Sequence, residues 1–217
     1  MAKGWWWVAL GVVVVGVVVA RNDDDTKAVD KPQPTATAKP KSTPSTTPTA
    51  KKAWYDDYDP AQFAPQVRRY AKQAGVNPQL LMAILYNEAY KPHDPKFERS
   101  WAEVDSNPAF GIANMHKPAF DDTKRGRDFA KRKWEQLPDD PALAIQAAAW
   151  HLHDLARRLP DTKTQRYTKD ELLALGYNAG GGNMRSFAKG TKVGSQAQSY
   201  LDKLHDNWDK SGQAVSG

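Results

Sequence analysis

Six consecutive apolar residues, Leu80-Leu81-Met82-Ala83-Ile84-Leu85, follow Asn77-Pro78 and run into a single carboxylate at Glu88. Asn77 is a helix cap and Pro78 a first-turn proline, so the pattern predicts a helix over 78–89. The rest of the chain has to be organised around it. Leu81, Ile84 and Leu85 lie seven, four and three residues before Glu88, which puts the acid on their face of the helix. Such an acid faces the core or a cleft. Apolar neighbours and the negative end of the helix dipole both disfavour its charged form, and a carboxyl that stays protonated near neutral pH is what a general acid needs. The competing reading is a fraying helix end whose glutamate turns to solvent.

The chain divides by composition. Residues 26–52 are mostly Thr, Pro, Lys, Ala and Ser, with nothing apolar to bury, and read as an extended spacer within a 22–52 linker. From Ala53 the composition becomes that of a domain, so 53–217 is expected to be the catalytic part. Of the 31 Lys and Arg, 8 lie in residues 1–52 against 4 Asp, leaving the domain 23 basic against 21 acidic residues. A near-neutral domain argues against a nucleic-acid partner. Its one basic run, Lys124-Arg125-Gly126-Arg127 with Lys131-Arg132-Lys133, reads as a solvated helix face. No cysteine is present, which excludes disulfides and thiolate metal sites.

Ahead of the linker, Trp5 to Ala20 is uncharged and rich in Val and Trp. As a helix its 16 residues span about 24 Å, against roughly 30 Å of bilayer hydrocarbon. Residues 1–21 are therefore expected to be a signal peptide or a membrane anchor. Val18-Val19-Ala20 suits cleavage, whereas the Trp triplet suits a retained anchor touching the membrane through residues 5–20. Either sends the domain out of the cytoplasm, secreted to the cell wall or anchored.

Within the domain, helical patterns are expected over 61–74 (ending at Gly75), 78–89, around 118–120, over 127–136, from a cap at Asp139 or Asp140 with Pro141 in the first turn to about Leu159, from the Thr168–Glu171 capping box to about Tyr177, over 183–188 and over 196–208, the last with Tyr200, Leu201, Leu204 and Trp208 as its buried side. Residues 90–110 read as a long ordered loop with at most short helices, and Asn178–Gly182 as a turn. No stretch alternates like a strand for long. The fold class is mainly α.

Three segments resemble one known pattern. Leu80–Glu88 resembles the helix of the soluble lytic transglycosylase family that ends in its catalytic glutamate. Gly111-Ile112-Ala113-Asn114-Met115 resembles that family's Gly-Leu-Met-Gln segment, and Gly176-Tyr177-Asn178-Ala179-Gly180 its Ala-Tyr-Asn-Ala-Gly segment. The order and approximate spacing agree over roughly residues 61–205. The resemblance implies a lysozyme-like α-helical domain, related to goose-type lysozyme, that cleaves the MurNAc–GlcNAc β-1,4 bond of peptidoglycan. It assigns catalysis to Glu88 and substrate binding to Gly111, Ile112, Asn114, Tyr177 and Asn178. The Tyr177 hydroxyl is expected to orient the glutamate, and the amides to hold acetamido groups.

Two departures stand out. Ala89 occupies the place where the family usually has serine, removing a hydroxyl partner for the carboxylate, and Asn114 stands where glutamine is usual. A hydrolase needs a second carboxyl group, about 5–5.5 Å from the first for retention and about 6.5–9.5 Å for inversion. A transglycosylase manages with one, forming 1,6-anhydro-MurNAc. Asp94, Glu98, Glu103 and Asp105 are the candidates for a second acid, each more readily taken as a surface charge. The alternatives are thus a hydrolytic muramidase of the same fold and a degenerate module that binds glycan strands without cleaving them. No cofactor or metal is implied. His151-Leu152-His153-Asp154 looks metal-like, but residues two apart on a helix point in different directions. The paired aspartates at 56–57, 121–122 and 139–140 read as caps and turns, Gly180-Gly181-Gly182 follows a helix as no nucleotide loop does, and no Ser-His-Asp set is singled out. The oligomeric state is left open.

Overall fold

The computed structural model describes Ala53 and residues 55–217; the expected leader and linker lie outside the described residues. After a short 3-10 helix at Pro60–Phe63 the elements are α1 (Ala64–Ala74), α2 (Pro78–Glu88), α3 (Pro95–Ala102), β1 (Ala109–Phe110), β2 (Met115–His116), α4 (Lys117–Thr123), α5 (Pro141–Ala156), α6 (Lys169–Ala188) and α7 (Ser195–Val215). The domain is mainly helical. No helix among the described residues is long and apolar enough to cross a membrane.

Helix α2 is the centre. Leu80 through Leu85 are all 0 % exposed, and a helix with no water-facing side in its middle must be packed all round. Helices α1, α6 and α7 cover it, with α7 the most extensive partner. Asn77 caps the start through Oδ1, which accepts from Gln79 N at 2.9 Å. Helix α7 runs antiparallel to α2. Near one end Gln79 Nε2 donates to the Trp208 carbonyl at 3.0 Å, and near the other Asn87 Nδ2 donates to the Tyr200 carbonyl at 3.1 Å. Asn207 Nδ2 completes the clamp on Asn87 Oδ1 at 2.7 Å.

Several sequence expectations need correction. Residues 127–136 hold only a 3-10 turn at Trp134–Gln136. Gly126 turns the chain at φ 72°, and Arg127 and Arg132 bridge to Asp154 and Asp140, so the basic run lies on successive turns rather than on a helix face, with Arg125, Lys131 and Lys133 exposed. Helix α5 stops at Ala156, short of Leu159. Helix α6 does not end at Tyr177 but resumes after one non-helical residue, Gly180 (φ 86°, ψ 154°), and reaches Ala188. Helix α7 continues seven residues past Trp208. A two-residue antiparallel pairing, Ala109 with His116 and Phe110 with Met115, was not expected; it closes the Gly111–Asn114 turn.

Candidate active site

Glu88 is the last residue of α2 and is 8 % exposed. Its carboxylate is held from two sides by neutral donors. Tyr200 of α7 donates its hydroxyl to Oε1 at 2.9 Å. Asn114 Nδ2 donates to Oε2 at 3.0 Å, and also to the Glu88 carbonyl at 3.0 Å, so one amide caps the helix end and grips its acid. Burial pushes the Glu88 carboxyl above its ordinary range; the two hydrogen bonds and the charges of Lys91 and Lys203 oppose that without cancelling it.

The turn that carries Asn114 is tightly specified. Asn114 N donates to the Gly111 carbonyl at 2.9 Å. Asn114 sits in the left-handed region at φ 43°, which asparagine tolerates better than most residues. Gly111 has φ 73°, and a Cβ there would lie 2.8 Å from the Leu137 carbonyl oxygen. Its N–H donates to Glu98 Oε2 at 2.7 Å, while Glu98 Oε1 meets His93 Nδ1 at 2.8 Å. Asn114 Oδ1 is buried with no hydrogen-bond partner.

The expected positions separate into different roles. Glu88 and Asn114 meet directly. Tyr177 is not hydrogen-bonded to the carboxylate: its hydroxyl donates to the Ala113 carbonyl at 2.6 Å, bracing the same turn from α6. The tyrosine hydroxyl that reaches Glu88 is that of Tyr200. Ile112, expected to bind substrate, is wholly buried in the core. Asn178 is exposed, on the turn of α6 after Tyr177. Glu98 is not the surface charge expected but a buried acid with both oxygens occupied, whereas Asp94 caps α3 through Phe97 N at 2.7 Å. Asp105 accepts from Asn107 N at 2.9 Å.

Sequence reasoning placed Tyr200 only on the apolar side of the last helix. The usable signal was its hydroxyl, since a buried tyrosine must find an acceptor. Residues 151–154 diverge as their spacing requires. His151 faces Thr123 Oγ1 at 3.3 Å, His153 faces the Ala74 carbonyl at 2.7 Å, and Asp154 pairs with Arg127. Burial pushes the His151 imidazole down to about 4. A cavity of about 420 Å³ lined by Gln73, Gly126, Arg127, Asp128 and Trp150 shares no residue with the Glu88 constellation.

A family model, the transglycosylase SLT domain, matches residues 65–200, which spans the stretch from α1 to the Tyr200 that completes this site. The chain belongs to the SLT transglycosylase family. Membership carries peptidoglycan lytic transglycosylase-type activity, peptidoglycan as substrate and a place of action outside the cytoplasm. No curated protein matches the chain.

Proposed function

We propose that this SLT domain cleaves the MurNAc–GlcNAc β-1,4 bond with Glu88 acting first as acid and then as base, leaving 1,6-anhydro-MurNAc. The observation that carries the reading is a buried carboxyl whose two oxygens are held by neutral donors, Tyr200 and Asn114, in surroundings that raise its proton affinity. Protonated Glu88 gives its proton to the glycosidic oxygen as the bond to C1 breaks, and the substrate's acetamido oxygen stabilises the oxocarbenium-like centre. The Glu88 carboxylate then takes the proton of the MurNAc C6 hydroxyl as that oxygen bonds to C1. Atoms and charge balance without water.

Asn114 Oδ1, a buried acceptor without a protein partner, suits an acetamido N–H of the substrate. Tyr177 supports the reading by fixing the turn, and Tyr200 supplies the hydroxyl that Ala89 lacks. The absence of a poised second acid also favours a transglycosylase. Among the described residues the other buried carboxylate is Glu98, and its oxygens are committed to His93 and Gly111.

Digestion of purified cell wall followed by mass analysis of the products tests the proposal. Anhydro-muropeptides are expected; reducing-end muropeptides would indicate a hydrolase, and no release a binding module. Glu88→Gln is expected to abolish release, and wall digestion at the parent rate would overturn the assignment of the acid.

A further inference from the structure

The segment joining Glu88 to the Gly111–Asn114 turn carries the large hydrophobic side chains that the described residues leave exposed. These are Tyr90, Phe97, Trp101 and Val104, at 70, 43, 51 and 78 % exposure. Phe97, Trp101 and Val104 recur at helical spacing, and the Val104 N–H continues the last turn of α3 by donating to the Trp101 carbonyl at 3.1 Å. They therefore form one stripe. The Phe97 and Trp101 rings are nearly parallel, at 15°, with centroids 6.3 Å apart. Apolar surface gathered in one place rather than scattered marks a binding face.

The inner side of α3 is fixed to the site. Glu98 holds the Gly111 N–H at 2.7 Å, and the turn that Gly111 opens brings Asn114 to within 3.0 Å of the Glu88 carboxylate. Lys91 Nζ ties the start of the segment to the Ala109 carbonyl at 2.9 Å. The aromatic stripe is thus the outward side of an element whose inward side builds the catalytic turn. Its chemistry fits sugars: the electron-rich face of an aromatic ring meets the polarised C–H face of a pyranose. A lipid surface fits less well. Docking on an anionic bilayer calls for a basic excess beside the apolar stripe, yet Asp94 and Glu103 offset Lys96, and Arg99 is paired with Asp139.

We propose that the Phe97–Trp101–Val104 stripe along α3 and the turn that follows it is a glycan platform on which the strand leaving the Glu88 cleft stacks its sugar rings. This rests on the peptidoglycan-cleaving reading of the site and adds a binding surface to it. The test uses the full chain carrying Glu88→Gln, so that binding is read without turnover. It is titrated with a soluble GlcNAc hexamer and sedimented with purified sacculi. Trp101→Leu and Phe97→Leu keep apolar bulk but remove the ring, and each is expected to weaken hexamer binding about three- to tenfold. Trp101→Tyr is expected to retain it, and melting curves report whether each variant is folded. Leucine variants that bind both glycans like their parent overturn the platform while leaving the assignment of Glu88 intact. Leucine variants that lose retention on anionic vesicles instead of sacculi overturn it in favour of a lipid surface. If the Glu88→Gln chain itself binds neither glycan, both the platform and the reading beneath it fall.

Discussion

Tyr200 and Asn114 bind the same carboxylate by different chemistry, and the difference predicts different phenotypes. The Tyr200 hydroxyl favours ionised Glu88, so Tyr200→Phe removes one of the forces that lower its proton affinity. The alkaline limb of the kcat/KM profile, set by loss of the acid's proton, is expected to move to higher pH. A hydrogen bond to a charged group is worth about 1.5–3 kcal/mol, so turnover is expected to fall about ten- to a hundredfold with KM little changed. Steady-state kinetics across pH on a soluble wall fragment checks both parts. At this scale Glu88 was legible from its position on an apolar helix, and Asn114 from the motif around it. The partnership of Glu88 with Tyr200 was not legible. The two residues are 112 positions apart, and only the docking of α7 along α2 makes them neighbours.

The elements were legible where local chemistry decides them and obscure where distant contacts do. Asn77 and the Thr168–Glu171 box cap the helices that their identities announce, and of the two aspartates offered for α5 it is Asp140 that caps it. Residues 127–136 carry a helical charge pattern, yet tertiary ion pairs from Arg127 and Arg132 and the left-handed Gly126 hold them in successive turns. The glycine run after Tyr177 reads as a helix end. Instead a single break at Gly180 lets the chain fold back so closely that a Cβ on Gly176 would stand 2.7 Å from Met184 Sδ. The turn between β1 and β2 is just as exacting. Gly111→Ala would place a side chain in a left-handed conformation, at a cost of about 1–2 kcal/mol, and drive it into the Leu137 carbonyl. Urea denaturation is expected to show a loss of at least about 2 kcal/mol when overpacking is added, and wall-digesting activity should fall with it because Asn114 is displaced.

For the molecule as a whole, the buried acid is a source of instability near neutral pH. An unfolded glutamate titrates near 4.5, whereas burial holds the folded Glu88 proton to higher pH. The folded state therefore binds more protons between the two values, and stability is lost as pH rises through the folded pKa. Glu88→Gln has no charge to bury. Its melting temperature is expected to exceed that of the parent near neutral pH, with the advantage shrinking as pH falls towards about 4.5. Within that window the difference grows by at most about 1.4 kcal/mol per pH unit. Calorimetry at several pH values would show it, and an advantage that widened on acidification would refute the burial argument.

The long clamp between α2 and α7 also sets a timetable. Asn87, next to the acid, is pinned by Tyr200 and Asn207, and the second donor to Glu88 arrives only with residue 200. A ribosome that has made Glu88 is still more than a hundred residues from supplying the second donor to its carboxylate. On the proposed mechanism the acid gains its Tyr200 donor only when α7 docks, so chains truncated before Ser195 are expected to release no muropeptides even though they contain Glu88, Asn114 and Tyr177.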